Sequence, residues 1–189
     1  MLQTIKALAV SGEMEKVSRI STLLGHILAY SVYEPYENVE LGTELEYLKN
    51  YIELQNIRYD NRIICSIECE QELAQIQIPK LTLQPLVENA IEHGLKDQGK
   101  LLLDIGTETE KDCFCIFIHD NGKGIPEEEL RRLEERIAGG ETYHEKSSIG
   151  IVNVNERLQR IFGKEYGIRI HSRPGCGTTI VIYIPGKRV

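Results

Sequence analysis

No apolar run in these 189 residues approaches the roughly 20 needed to cross a bilayer, and no signal-peptide pattern precedes the helix expected from Leu2. The chain as it stands is therefore expected to be soluble, with no direct membrane contact. Basic charge is not in excess. Lys and Arg total 22 against 29 Asp and Glu, a net charge of −7, which argues against nonspecific binding to nucleic acid or anionic membrane. A small anionic ligand stays open, because it needs only local donors. Internal repeats and low-complexity tracts are also lacking. The five cysteines are too few and too scattered for a disulfide framework, and their odd number points to a reducing compartment. Cys65 and Cys69 have no nearby histidine or second cysteine pair to complete a zinc set. Cys113 and Cys115 alternate along an apolar strand, where a cysteine behaves as a small buried hydrophobe.

What is present divides near residue 62. Before it, Met14, Val17, Ile20, Leu24, Ile27 and Leu28 recur at helical spacing. Ser11-Gly12 separates this helix from a shorter one carrying Leu2, Ile5 and Leu8, and Glu34-Pro35 ends it. A third helix is expected from Thr43, with Glu46 completing a capping box, through Leu45, Leu48, Ile52 and Leu54 to about Tyr59. So small a helical segment buries its apolar seam poorly alone, which favours pairing with a second copy.

After residue 62 strands alternate with helices. Strands are expected over 62–68, 75–78, 101–109 and 113–120, with a closing hairpin of 168–172 and 179–184. Helices are expected over 83–96, 127–137 and 150–162, and a polar glycine-containing loop over 139–148. This is an α+β pattern: a two-layer sandwich with a mixed, mostly antiparallel sheet and helices on one face. The expected division is a helical segment, 1–61, and a sandwich domain, 62–189.

Three elements carry chemistry. In Pro85-Leu-Val-Glu-Asn-Ala-Ile-Glu-His-Gly94, Leu86, Val87, Ala90 and Ile91 form the core stripe. Asn89 and His93 lie one turn apart, flanked by Glu88 and Glu92. An amide oxygen facing a cleft can hold Mg²⁺, although from this helix alone a solvated face is the favoured reading. Asp120-Asn-Gly-Lys-Gly-Ile-Pro126 ends an apolar strand in an acid and leads into a helix. A simple Asn-Gly hairpin is therefore excluded, and so is an EF-hand loop, whose ligand spacing is missing. A buried acid needs a partner; a purine amino group would be one, and the neighbouring glycines would let a flat ring approach. Ser147-Ser-Ile-Gly-Ile-Val-Asn-Val-Asn-Glu-Arg-Leu158 brings a polar loop to a helix N-terminus, where free N–H groups favour phosphate. Gly94-Leu-Lys-Asp-Gln-Gly-Lys-Leu101 only imitates a P-loop: Leu101 stands in place of Ser or Thr, and the order is helix to strand.

With these elements in this order the chain resembles the ATP-binding (GHKL) domain shared by sensor histidine kinases, type II topoisomerases, Hsp90 chaperones and MutL proteins. The segments 41–59, 79–94 and 150–158 are more specifically similar to the LytS-like sensor histidine kinases. The resemblance implies a Bergerat-type fold that binds ATP and Mg²⁺. Asn89 would ligate Mg²⁺, with Glu88 and His93 as catalytic neighbours and His93 near the phosphates. Asp120 would accept from the adenine amino group. Gly122 and Gly124 would shape the adenine wall, with Ile125 and Ser148 among the nucleotide contacts. Gly150 would open the phosphate-facing helix, and Thr178 would support Asp120. Ser148 stands where the family usually carries glycine, and Pro85 where many related kinases carry a polar residue.

The resemblance also implies a homodimer through the N-terminal helices and a response regulator receiver domain as partner. In the family, the γ-phosphate passes to a histidine in a Pro-His-Phe-Leu-type motif and then to a regulator aspartate. None of His26, His93, His119, His144 or His171 sits in such a motif. The expectation is thus the cytoplasmic, C-terminal piece of a membrane-anchored sensor, without its own acceptor. Two other uses of such a pocket are an ATP-gated dimerising machine and a noncatalytic nucleotide-binding module.

Overall fold

The computed structural model describes residues 1–32, 38–95, 99–110, 112–139 and 149–186. Two helices open the chain, α1 (Leu2–Val10) and α2 (Met14–Val32). Between them Gly12 takes a φ of +79°, which makes the tight reversal possible. A short strand β1 (Asn38–Glu40) leads directly into α3 (Leu41–Arg58). There follow β2 (Ile63–Glu68), a 3₁₀ turn at Leu73–Gln75, β3 (Gln77–Pro79) and α4 (Gln84–Gly94). The remainder comprises β4 (Leu101–Glu110), β5 (Cys113–Asp120), α5 (Glu127–Ile137), α6 (Ile149–Phe162), β6 (Gly167–Arg173) and β7 (Gly177–Pro185).

The main sheet has the order β2-β4-β5-β7-β6. Only the β2–β4 pair is parallel; the others run antiparallel. One face is apolar and buried, carrying Leu101, Leu103, Ile105, Ile116, Ile118, Ile180 and Ile182. On it pack α4, α5 and α6, so the α+β sandwich with helices on one face is what forms. The alternation of buried and partly exposed residues along β7 is the period-2 signature of a sheet with one covered face.

Four expectations change. The third helix starts at Leu41, and Thr43 lies inside it, so the Thr43–Glu46 capping box does not form. Its first turn is closed instead by the backbone, with Leu41 N–H donating to the Ile76 carbonyl at 2.9 Å, while Glu46 pairs with Lys49 at 2.5 Å. The expected strand 75–78 is split: a 3₁₀ turn ends at Gln75, and β3 pairs with β1 rather than with the main sheet. The helix expected to reach Lys96 stops at Gly94, where a Cβ would come within 2.4 Å of Leu101 Cδ1. Cys115 is buried as expected, but Cys113 is only half-buried. Residues 33–37, holding the Glu34-Pro35 stop, and nearly all of the expected loop 139–148 lie outside the described residues.

The helices do not share one environment. Leu41, Leu45, Leu48, Tyr51 and Ile52 of α3 belong to the same core as the sandwich. α2 instead packs on α3 through a small cluster of Ile20, Leu23 and Leu54. Each such burial contributes about 1.5–3 kcal/mol. Leu2, Val10, Met14, Leu28 and Val32 remain exposed on α1 and α2. No described helix is long and apolar enough to cross a membrane.

Candidate functional site

Asp120 ends β5 in the middle of the sheet, facing Leu103 of β4 and Thr178 of β7. Only 8% exposed, it accepts the Gly122 N–H at 2.7 Å. Burial raises its carboxyl above the ordinary carboxylate value, against the lowering effects of the Gly122 N–H, His119, the Thr178 backbone and His93. Such a carboxylate is held in place yet has oxygen valence to spare, which suits it to accept a further donor.

The glycines around it are geometric necessities. A Cβ on Gly122 would meet Asp120 Oδ1 at 2.6 Å and Gly94 Cα at 2.7 Å, so the turn lies directly against the end of α4. Gly124 has a φ of +68°, and a Cβ there would stand 2.0 Å from the Arg173 carbonyl oxygen. Ile125 N–H donates to Ser172 Oγ at 2.8 Å. Ser172 Oγ also reaches the Gly177 carbonyl at 2.9 Å and Thr178 Oγ1 at 2.9 Å. The Asp120 turn is thereby tied to the β6–β7 hairpin, and Gly175 N–H donates to the Lys123 carbonyl at 2.6 Å.

The opposite wall is α4. Asn89 is half-buried, and its Nδ2 donates to the Pro85 carbonyl one turn back at 2.8 Å. That bond fixes the amide and makes Oδ1 the atom suited to a hard cation. Gly150, in the first turn of α6, comes close enough that a Cβ on it would lie 3.4 Å from Pro85 Cβ and 3.8 Å from Asn89 Nδ2. Pro85 thus serves as packing and as backbone acceptor. His93 is exposed beside Gly94 and bears electrostatically on Asp120.

Glu88 points elsewhere. It is exposed, accepts Gln84 Nε2 at 2.7 Å, and with Tyr47 and Tyr51 forms a polar contact between α3 and α4. Burial, together with Glu88, raises the Tyr51 phenol above its ordinary value. Gly122 thus lies against Asp120 and the end of α4, Gly150 against Pro85 and Asn89, and Gly124, Ile125 and Thr178 against the β6–β7 hairpin, while Glu88 sits on the α3 side of α4. Ser148 lies outside the described residues.

Several participants escaped the sequence reading. Ser172, Gly177 and Gly94 matter through strand order and close approach, which only the folded sheet reveals. Glu44 is another: fully buried on α3, it accepts Tyr30 OH, Leu81 N–H at 3.0 Å and Leu83 N–H at 3.1 Å. Leu81 adopts a φ of +57°, and Arg157 of α6 donates to its carbonyl at 3.0 Å and to Thr82 Oγ1 at 3.1 Å. A polar chain thus runs from α2 through α3 to the helix that begins beside Asn89. A separate cavity of about 650 Å³ between α5, α6 and β6, lined by Glu134, Ile137, Lys164 and His171 among others, contains none of the site residues.

Residues 75–188 match the family of histidine kinase-, DNA gyrase B- and HSP90-like ATPases, and residues 1–63 match the histidine kinase family. The chain is 35% identical over 185 residues to the sensor histidine kinase YesM of Bacillus subtilis, covering 97% of this chain and 30% of that protein. The chain belongs to the sensor histidine kinases. Residues 75–188 are accordingly its ATP-binding, GHKL-type domain. Sensor histidine kinase BtsS of Escherichia coli is 30% identical over 186 residues, 98% of this chain and again 30% of that protein. The chain thus spans about 30% of the length of these relatives. Among solved structures, the fold is shared with mycobacterial sensor histidine kinase MprB, with a TM-score of 0.57 at 16% identity over 82% of this chain and 99% of that one. It is also shared with histidine kinase ThkA in complex with response regulator protein TrrA, with a TM-score of 0.59 at 20% identity over 96% and 51% of the two chains.

Proposed function

We propose that this sensor histidine kinase chain binds Mg-ATP between α4, the Asp120 turn and the start of α6. In the whole protein, the γ-phosphate would pass to a histidine for relay to a response regulator aspartate. The observation that carries the reading is the convergence at Gly122. One turn brings the buried Asp120 carboxylate, the backbone of Gly94 and the end of α4 within van der Waals reach of one another. The residues fit the ligand: a buried carboxylate that burial holds above its ordinary value suits an exocyclic amine donor. Asp120 would receive the adenine amino group, with Thr178 and Ser172 holding that wall and Ile125 flanking it. Asn89 would ligate Mg²⁺ through Oδ1, His93 would lie toward the phosphates, and the N–H groups of the first turn of α6 would face their negative charge. Mg²⁺, when bound, neutralises charge on the transferring phosphoryl group; the protein's share is to position and to stabilise. Glu88, turned toward α3, acts as a positioning neighbour of Tyr51.

The acceptor histidine would stand in a Pro-His-Phe-type motif, which none of the five histidines of this chain occupies. The exposed apolar residues of α1 and α2 support the 1–61 segment as the homodimer interface, and TrrA's association with ThkA supports a receiver domain as the downstream partner. Calorimetry tests the site directly. ATP should bind with one-to-one stoichiometry and more tightly with Mg²⁺, and Asn89→Asp should lose most of that Mg²⁺ dependence. Undiminished Mg-ATP affinity in the variant would remove Asn89 from the site.

A further inference from the structure

The end of the sheet remote from Asp120 carries a second constellation. β4 and β5 meet there with Glu110 opposite Cys113 and Glu108 opposite Cys115. Side chains alternate along a strand, so both glutamates and both thiols project on the same face, the one not covered by helices. Cys-Phe-Cys thus stands across the ladder from Glu-Thr-Glu. The ligating atoms of Glu110, Cys113 and Cys115 all lie within 4.8 Å of one another.

We propose that Glu110, Cys113 and Cys115 bind a thiophilic divalent cation of the zinc class, at a site separate from the nucleotide cleft. Zinc takes sulfur at about 2.3 Å and carboxylate oxygen at about 2.0–2.2 Å in a tetrahedral set, so its donors stand roughly 3.5–4 Å apart. Cys113 Sγ already stands 3.9 Å from Glu110 Oε2. Glu108, exposed and directly opposite Cys115, is placed to give the fourth ligand; otherwise a water fills that position. Two thiols with one or two carboxylates select zinc over Mg²⁺ or Ca²⁺, which demand oxygen ligands.

A further observation supports the site. The scaffold is fixed from a third strand: the Gly186 N–H after β7 donates to the Asp112 carbonyl at 3.0 Å, and a Cβ on Gly186 would lie 2.8 Å from the Asp112 carbonyl carbon. Both thiols release their protons to the buffer on coordination.

The test uses the 189-residue chain, reduced with a phosphine, stripped of metal and free of nucleotide. Cobalt(II) should bind one per chain with a thiolate-to-cobalt charge-transfer band, and zinc should displace it. Cys113→Ser, at a half-buried position, should abolish the band and weaken zinc at least about 10-fold, the lower end of losses seen even for groups that only support a ligand. Glu110→Gln should weaken zinc while keeping the band. Cys176→Ser should change neither, and Glu110→Gln, which keeps both thiols, tests the site independently of whether Cys113→Ser folds. A missing band, a band that survives Cys113→Ser, or one lost in Cys176→Ser would each overturn the proposal.

Discussion

Around Asp120 the backbone is fixed from three directions, whereas around Asn89 one side-chain bond and the approach of one helix set the geometry. On the Asp120 side, Gly122 abuts Gly94, Gly124 abuts Arg173, and a Cβ on Gly177 would stand 1.9 Å from the Asp120 carbonyl oxygen. On the Asn89 side, the tightest comparable distance among the described residues is the 3.4 Å between a Cβ on Gly150 and Pro85, an ordinary contact. The proposed adenine wall is thus part of the fold itself, fully formed by sheet register. The proposed phosphate wall depends on how α6 comes to rest against α4. A pocket of this kind can recognise a base with a rigid surface while leaving the reacting end adjustable.

The strongest way to break this contrast is Gly177→Ala. Gly177 has a φ of +86°, costly for any residue with a Cβ, and the added methyl would collide with the Asp120 backbone. Left-handed geometry and overpacking together should cost about 3–5 kcal/mol. Gly175→Ala supplies the control, since its φ of +79° is similar but no atom of the described residues lies within 4 Å of the new Cβ. It should cost only about 1–2 kcal/mol. Urea unfolding of the two variants measures the difference; equal losses would mean that the hairpin does not constrain Asp120.

Next in size is Asp120→Asn, which separates binding from stability. An amide oxygen can still accept the Gly122 N–H, but it loses the charge that a purine amino group would meet. ATP affinity should fall roughly 10- to 150-fold, the worth of a hydrogen bond to a charged group. Stability should move the other way. Because burial raises the Asp120 carboxyl, its contribution is full below the ordinary carboxylate range and is lost as pH rises through the raised value. Asparagine does not titrate, so the melting temperature of the variant relative to the parent should increase across that window. A variant that melts lower at neutral pH than at acidic pH, relative to the parent, would contradict the sign of the shift.

The same contrast governs what could be read before the structure was known. The Asp120 turn was recognisable because its chemistry is local: an apolar strand, an acid, two glycines and a helix start are consecutive. Asn89 and His93 were recognisable from helical spacing. Ser172 and Gly177 were not, because their importance depends on β6 and β7 lying beside β5, a matter of strand order. Glu44 shows the limit most clearly. In a helix sequence a carboxylate reads as solvated surface, yet here two backbone N–H groups and a tyrosine hydroxyl compensate its burial. Those donors become available only because Leu81 takes a left-handed conformation, which nothing in Lys-Leu-Thr announces. β1 escaped for a related reason, since three residues around one half-buried valine are too few to establish an alternation. The capping box failed because a backbone carbonyl from the neighbouring strap already serves the first turn of α3.

The smallest expected effect sharpens the comparison from the phosphate side. Gly150 sits in the first turn of α6, and among the described residues its added methyl would meet only Pro85 Cβ and Asn89 Nδ2, at ordinary distances. Gly150→Ala should therefore change stability by less than about 1 kcal/mol, with alanine's better helix propensity offsetting a slight displacement of Pro85. Mg-ATP affinity should fall by less than roughly 5-fold, since about 1 kcal/mol of adjustment suffices. Calorimetry and thermal melting of the one variant give both numbers. If stability holds but affinity falls far more, the constraint at Gly150 comes from the ligand, and the bound phosphates approach α6 as closely as the backbone approaches Gly177. If stability itself falls by several kcal/mol, α6 is seated as rigidly as the Asp120 turn, and the difference in tolerance between the two walls disappears.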